Sequence, residues 1–428
     1  MTPPSAPKDS RAPVAYESRV ADLRAVLQLS RELGASTELM PLLQKVESAA
    51  LTVLGCERAT VFVYDDSTNE LYSSVATGVD EIRFGADQGI AGEAVRTGEV
   101  IHVPDAYADD RFNPEIDRRT GFRTRNMITI PLIGIDAKIV GVLQVLNKTS
   151  GQFDAWDHEL VRTFGAQVGV ALQRQLLLEH YAEKQRIEHD LSIARDIQQG
   201  LIPSRPADIA GFEVAGWNKP ADETGGDCYD YFERDDGSLA VTIADATGHG
   251  IGPALVIAEC RALFRASVAM SRDLGEITAR VNDLLCDDLP DDRFVTAFLG
   301  LLDPERGSLS YLSAGHGPLF RYTRASDTIE ELPANGFPLG IMPNADWPPP
   351  EDFVLAPGDL FVVVTDGFFE CLNADRQQLG TQRLTDLIRA LRDRPCRDII
   401  AGMHDAVLNW VGDAPQDDDL TALVIRKT

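Results

Sequence analysis

ETGGDCYDYFERDDGSLAVTIADATGHG, residues 223–250, sets an aspartate at the mouth of each of two apolar, β-rich runs: Asp227 opens one and Asp245 closes the next. The pattern returns in LFVVVTDGFFE (360–370), where Asp366 ends a run, and in QDDDLTALVIR (416–426), where Asp418 opens one. An aspartate beside a strand is commonly a turn former. Carboxylates on separate strands can also converge on hard divalent cations, and the four together read as a two-metal hydrolase core. Gly225 and Gly226 allow a tight bend ahead of Asp227, and Gly248 and Gly250 allow the backbone close to a phosphate or a metal.

From about residue 190 to 428 the chain resembles the metal-dependent PPM protein serine/threonine phosphatases, in the bacterial branch typified by SpoIIE and RsbU. ARDIQQGLIPSRP (194–206) resembles the entry segment, GGDCYDYF (225–232) the first acidic motif and ADATGHG (244–250) the second. RFVTAFLGLLD (293–303), LSAGHGPLFRY (312–322) and FPLGI (337–341) follow in the family's order, and TDGFFECLNADRQQLG (365–380) and DDLTALVIR (418–426) close it. Each motif is moderately specific; their collinear order is strongly so. The resemblance implies two Mn²⁺ or Mg²⁺ ions, which suit an all-oxygen site better than Zn²⁺ does. Asp245 would bridge them, the backbone carbonyl of Ala246 would join one, Asp227 and Asp366 would be further ligands, and Asp418 would complete the set with Asp419 as its alternative. The eukaryotic branch has a histidine two residues after the bridging acid, where this chain has Thr247. His249 and His316 are then candidate general acids, a metal-bound water is a third, and each histidine also reads as a turn residue. Cys228 replaces a common aromatic residue, which alters packing without removing a ligand.

Other chemistries find little support. There is no G-x-S-x-G elbow, no H-E-x-x-H and no Walker-type loop. The six cysteines, at 56, 228, 260, 286, 371 and 396, show no C-x-x-C spacing and read as reduced, mostly buried thiols of a cytosolic protein. With 67 acidic and 40 basic residues, a net charge of −27 argues against nucleic acid or an anionic membrane as a partner. No run approaches the ~18 apolar residues of a membrane span, and the opening MTPPSAPKDSRAP lacks an apolar signal core. A cytoplasmic chain with a disordered N-terminus is expected.

The N-terminal half reads differently. A helical pattern over about 17–54 carries Val20, Leu23, Leu27, Leu42, Leu43, Val46, Ala50 and Leu54 at helix spacing. Strands follow at ATVFVYDD (59–66), LYSSVATG, EVIHVPD, MITIPLIG and IVGVLQVLNK, and a helix runs from Ala155 to about Gln175. The stretch from GIAGEAVRTGEVIHVPD (89–105) through LNKTSGQFDAWDHE (146–159) resembles a GAF domain of the kind found in cyclic-nucleotide phosphodiesterases and adenylate cyclases. Asn147, Lys148, Phe153 and Asp157 match its N-K…F…D-E signature, with His158 in place of the last acid and Glu159 one residue late. For a bound cyclic nucleotide, matched positions imply Ile90 and Ala91 as backbone contacts and Asp117, Thr120, Thr124 and Gln144 as polar ones. The same residues also build an empty fold, with Asp117 and Thr120 at a helix start, Gln144 facing solvent and Asn147-Lys148 tying a loop to the core. No cysteine in this stretch could tether a bilin, and His102 reads as a partly exposed strand residue.

Between the halves, Leu177, Tyr181, Lys184, Ile187, Leu191, Ala194, Gln198 and Leu201 recur at spacings of three and four. The stripe fits a parallel dimeric coiled coil or packing against the catalytic half. Pro203 and Pro206 stop the helix. The expected organisation is α+β with two domains: a disordered N-terminus (1–16), a GAF sensor domain of antiparallel sheet and helices (17–172), a helical coiled-coil linker (173–206), and a PPM phosphatase sandwich of two antiparallel sheets flanked by helices (207–428). Helical segments are expected over about 251–288 and 381–411, and the proline-rich loop Pro333–Pro350 near the site would shape substrate choice. The expected function is a signal-regulated phosphatase acting on a phosphoprotein such as a STAS anti-sigma-factor antagonist, homodimeric through its GAF domain and linker. The alternative is a nucleotide-responsive scaffold with an inactive phosphatase fold. A cyclic-nucleotide phosphodiesterase is excluded, because the seven histidines lack the spacing of its metal site.

Overall fold

The computed structural model describes residues 11–73, 82–248, 250–290 and 292–428. The chain divides into two compact units, Met1–Arg186 and Ile187–Thr428. The elements of the first are α1 (Arg11–Gly34), α2 (Leu39–Leu54), β1 (Cys56–Asp65), β2 (Glu70–Ser73), β3 (Ile82–Gly85), α3 (Gly89–Thr97), β4 (Ile101–Val103), α4 (Glu115–Thr120), β5 (Met127–Ile133), β6 (Ile139–Lys148) and the start of α5 (Ala155–Leu201). Their six strands form one antiparallel sheet in the order β3-β2-β1-β6-β5-β4. Strand alternation sorts its two faces. Ala59, Val61 and Val63 of β1 join Leu43 and Val46 of α2 and Phe164 and Val168 of α5 in one core, while Phe62 packs with Leu71 of β2 and Ala91 and Ala94 of α3 in another.

The helical pattern over 17–54 resolves into two helices, broken after Gly34. The buried face of α1 is Val26, Leu29 and Leu33, whereas Leu23 and Leu27, assigned by spacing to the same stripe, are exposed. The run LYSSVATG is strand as far as Ser73, and its remainder lies outside the described residues. Nor does the helix from Ala155 end near Gln175: nothing in 172–199 breaks it, and α5 continues for 47 residues to Leu201.

The second unit continues with β7 (Phe212–Lys219), β8 (Asp227–Glu233), β9 (Leu239–Ala246), α6 (Ile251–Met270), α7 (Leu274–Asp288), β10 (Val295–Asp303), β11 (Ser308–Ala314), β12 (Leu319–Thr323), β13 (Thr328–Leu332), β14 (Glu351–Val354), β15 (Leu360–Val364), α8 (Gly367–Glu370), α9 (Thr381–Leu391), α10 (Cys396–Val411) and β16 (Leu420–Lys427). Two five-stranded antiparallel sheets, β14-β11-β10-β9-β8 and β13-β12-β15-β16-β7, make the expected sandwich. Val241, Ile243, Phe298 and Tyr311 of one sheet meet Phe361, Val363, Leu423 and Ile425 of the other. Helices α6 and α7 cover one outer face, and α9 and α10 the other. The helical segment over 251–288 divides at Asp273, whose carboxylate caps α7 by accepting the Glu276 N–H at 3.0 Å. The segment over 381–411 divides at Pro395. The loop after β13 is joined to the sheet through bridges from Gly336 to Ala314 and from Leu339 to Val295. Among the described residues no helix is long and apolar enough to cross a membrane.

One ion pair ties α6 to the strand that carries Asp227. Asp230 of β8 is fully buried, and its carboxylate meets Arg265 Nε and Nη2 at 2.5 and 2.8 Å and lies 3.0 Å from Arg261 Nε. Removing one partner of such a pair strands the other charge. Asp230→Ala leaves Arg261, the more buried arginine, without its counter-ion, and should cost about 3–5 kcal/mol in urea unfolding; a loss below about 1 kcal/mol would show that solvent neutralises Arg261 instead.

Candidate active site

Strand register brings the first two aspartates together: β8 and β9 pair with Asp227 directly opposite Asp245. The other sheet supplies the rest, because β15 runs out at Val364 just before Asp366 and β16 enters at Leu420 just after Asp418 and Asp419. Asp419 joins the two sheets, its Oδ1 accepting the Ala221 N–H at 2.7 Å and its Oδ2 the Asp227 N–H at 3.3 Å. Asp418 is exposed and accepts the Asp419 N–H at 2.8 Å. Glycine is required in the walls. A Cβ at Gly225 would strike the Asp419 carboxylate, one at Gly226 would lie 2.8 Å from the Ala246 carbonyl oxygen, and one at Gly367 would meet the Asp419 carbonyl.

The electrostatics are those of crowded like charges. Burial, then Asp245 and Asp419, push Asp227 well above the usual carboxylate range. Burial, then Asp366 and Asp418, raise Asp245 to about 8, and burial with Asp418 and Glu370 raises Asp366 to about 6. Asp419 is also raised by burial, against three backbone N–H groups that favour its charged form. None of the groups acting most strongly on these four is a lysine or an arginine.

As the side chains stand, no three His, Cys, Asp or Glu groups among the described residues surround a single point. What the site provides is uncompensated negative charge, glycine walls, and a buried Asp227 Oδ2 without a hydrogen-bond partner. With the Ala246 carbonyl beside Gly226, the donors are all hard oxygens, and the set fits divalent cations of the Mg²⁺ or Mn²⁺ type.

The candidate proton donors separate. His316 is buried, held neutral by burial with its pKa lowered to about 4, and both ring nitrogens are engaged: Nε2 is 3.2 Å from the Val364 carbonyl and Nδ1 3.0 Å from Thr296 Oγ1. It is a structural link between sheets. Thr247 is similarly occupied, exchanging hydrogen bonds with Phe294. His249 lies outside the described residues. Cys228 is buried in the core beneath α6.

Sequence reasoning missed two residues here. Gln198 of α5 grips Gly225, its Nε2 donating to the carbonyl at 2.6 Å and its Oε1 accepting the N–H at 3.0 Å, and Arg195 Nε donates to the Glu223 carbonyl at 3.0 Å. Both lie in the entry segment ARDIQQGLIP, where a glutamine two residues before a glycine was the available signal.

In the first unit, a cavity of about 270 Å³ is lined by Ile90, Ala91, Asp117, Thr124 and Gln144. Five of the six residues matched for a ligand are thus assembled, and the side chain of Thr120 lies outside the described residues. Much of their polarity is already used. Asp117 accepts the Thr124 N–H and hydroxyl at 2.7 and 2.8 Å, and Gln144 Nε2 reaches Thr129 at 3.3 Å. The N-K…F…D signature is structural: Asn147 Oδ1 accepts the Arg125 N–H at 2.6 Å, and Lys148 Nζ binds Asp157 at 2.6 Å and the Leu54 carbonyl at 2.9 Å. His158, in place of the acid, meets His102 at 3.2 Å.

Residues 235–428 match the family model of stage II sporulation protein E (SpoIIE), and residues 38–172 that of the GAF domain. Phosphoserine phosphatase RsbU of Bacillus subtilis is 27% identical over 251 residues, 57% of this chain and 72% of that protein. Protein IcfG of Synechocystis is 25% identical over 265 residues, 56% of this chain and 41% of that protein. A cGMP-specific 3′,5′-cyclic phosphodiesterase of Drosophila virilis is 38% identical over 112 residues, 26% of this chain and 12% of that one. Among solved structures, the SiaA-PP2C domain of Pseudomonas aeruginosa is 25% identical with a TM-score of 0.50, covering 57% of this chain and 98% of that one.

The raised carboxylates set a pH dependence. Unfolded aspartates titrate near 3.9, so from about pH 4 to pH 8 the folded protein holds more protons, and stability falls as pH rises through that window. In buffer with EDTA the melting temperature should drop by several degrees between about pH 5 and pH 8.5, and Asp245→Asn should flatten that drop. An equal drop in the variant would place its cause elsewhere.

Proposed function

We propose that this chain, a PPM-type protein serine/threonine phosphatase with an N-terminal GAF domain, removes phosphate from phosphoserine or phosphothreonine of a protein substrate, using two divalent cations, under control of the GAF domain. The observation that carries the reading is the meeting of strand ends that bear Asp227, Asp245, Asp366 and Asp419, whose carboxylates burial and neighbouring aspartates raise, with no lysine or arginine among the groups acting most strongly on them and with the exposed Asp418 alongside. Asp245, Asp227, Asp366 and the Ala246 carbonyl would hold the cations. Both oxygens of Asp419 already accept backbone N–H groups, which favours the exposed Asp418 as the remaining ligand. Mn²⁺ or Mg²⁺ bound there supplies Lewis-acid neutralisation of the phosphoryl oxygens and an activated water.

The chain's own residues hold the geometry. Asp419 fixes the 221–227 loop by two hydrogen bonds, and Gln198 fixes Gly225 from the other side. With His316 occupied, the leaving alkoxide takes its proton from solvent or from His249. Similarity to phosphoserine phosphatase RsbU supports a phosphoprotein substrate, and a STAS anti-sigma-factor antagonist is the substrate class that this branch implies. Six free cysteines agree with a reducing cytoplasm. An inactive scaffold is the poorer reading, since all four acidic positions of the motifs are present.

Hydrolysis of an aryl phosphate by the full-length protein should require Mn²⁺ or Mg²⁺, and Asp245→Asn and Asp366→Asn should each lower it by about 100-fold or more, ~2.7 kcal/mol of barrier. Metal-independent turnover, or full activity in either variant, would overturn the assignment.

We infer that α5 carries the regulation. Its stripe divides: Leu177, Tyr181 and Ile187 are 60%, 62% and 51% exposed, whereas Leu191, Ala194, Gln198 and Leu201 are partly buried. We read the exposed part as a dimer seam with a second copy of α5, joined by the exposed Leu23 and Leu27 of α1, and the cavity around Asp117 and Gln144 as a site for a cyclic nucleotide. The double variant Leu177→Glu, Ile187→Glu should halve the mass in sedimentation equilibrium at micromolar protein; an unchanged dimer would move the interface off α5.

A further inference from the structure

The second unit contains another cavity, of about 750 Å³, that the catalytic reading does not use. Its walls are β7, β8, the segment 203–207 and one face of α10. Both strands are edge strands, so no further strand of either sheet covers this side. The segment 203–207 is tied down by Tyr231, whose hydroxyl donates to the Arg205 carbonyl at 2.5 Å. On α10, Arg397, Ile400, Ala401 and His404 fall at positions i, i+3, i+4 and i+7 and share the face that lines the cavity.

The chemistry of the lining is one-sided. Arg205 and Arg397 have no carboxylate partner among the described residues, in a chain with 27 excess negative charges. Trp217 and Tyr229 line the same space, and His404 Nε2 is buried without a hydrogen-bond partner among the described residues. The sole carboxylate in the lining, Glu213, is already engaged: Oε1 accepts the Cys396 N–H at 2.8 Å and Oε2 meets Arg426 Nη1 at 3.4 Å. Two arginines therefore line the cavity with no free carboxylate beside them. Beside them stands an aromatic wall, the rings of Trp217 and His404 having centroids 4.6 Å apart. A concave site of this size, with an apolar wall and a few convergent polar groups, is of the kind that holds small molecules.

We propose that this cavity binds a planar aromatic anion, its ring against Trp217 and His404 and its carboxylate, sulfonate or phosphate between Arg205 and Arg397, where a planar guanidinium forms paired hydrogen bonds to such a group. The site lies apart from the aspartate cluster in composition and does not depend on the catalytic assignment.

Titration calorimetry of the full-length protein with naphthalene-2-sulfonate, in EDTA so that no metal recruits the anion, tests this. Single-site saturation is expected, with the double variant Arg205→Ala, Arg397→Ala binding at least about tenfold more weakly and neutral 2-naphthol likewise. Both arginines are exposed, so the variant should keep the wild-type melting temperature. Trp217→Leu, checked by the same melt, should weaken the complex as well. Absence of saturation at millimolar ligand, equal affinity in the arginine variant, or equal binding of 2-naphthol would overturn the proposal.

Discussion

The catalytic unit is organised around a repulsion. Asp227 and Asp245 are forced face to face by the β8–β9 register, and Asp419 and Asp366 are brought up to them from the other sheet. Such a group of carboxylates is costly without counter-charge. It persists because the backbone around it is over-determined: the β15–β16 ladder is locked by Thr365 and Thr421, the Asp419 carboxylate is held by two N–H groups, and the glycine walls leave no room to relax. Folding energy from the sandwich core thus maintains a charge distribution that divalent cations would relieve, which is how a hydrolytic site is kept preorganised.

The same loop receives a second constraint from outside the sheets. Gln198 hydrogen-bonds both backbone groups of Gly225, two residues before Asp227, and Gly225 packs on the Asp419 carboxylate. A displacement of the last turns of α5 therefore cannot leave the loop unchanged. α5 itself begins in the first unit and runs unbroken to this contact.

Legibility in the sequence followed the range of the interaction. Asp227, Asp245, Asp366 and Asp418 stand out in the sequence because strand periodicity and flanking glycines are local signals, and the sandwich followed from short apolar runs in the same stretches. Asp273, a local cap, could likewise have shown that the segment 251–288 is two helices. His316 was ambiguous, since its role depends on Thr296 and on Val364, residues 20 and 48 positions away. Gln198 was invisible as a site residue because its partner lies 27 positions on and its spacing matches a coiled-coil stripe.

That last ambiguity has a physical resolution. Periodicity records that a helix face is covered, not what covers it. In α5 one uninterrupted pattern serves two surfaces: the residues up to Ile187 remain exposed, while from Leu191 the face is partly buried and its glutamine and arginine hydrogen-bond the loop before Asp227. Within the partly buried part, Ala194 and Gln198 stand between Leu191 and Leu201 and admit the polar loop. Small and hydrogen-bonding side chains suit close approach to a polar backbone, whereas large apolar ones suit a matching helix. A glutamine at a stripe position, as at Gln198, marks where a hydrogen bond to a backbone can replace apolar cover.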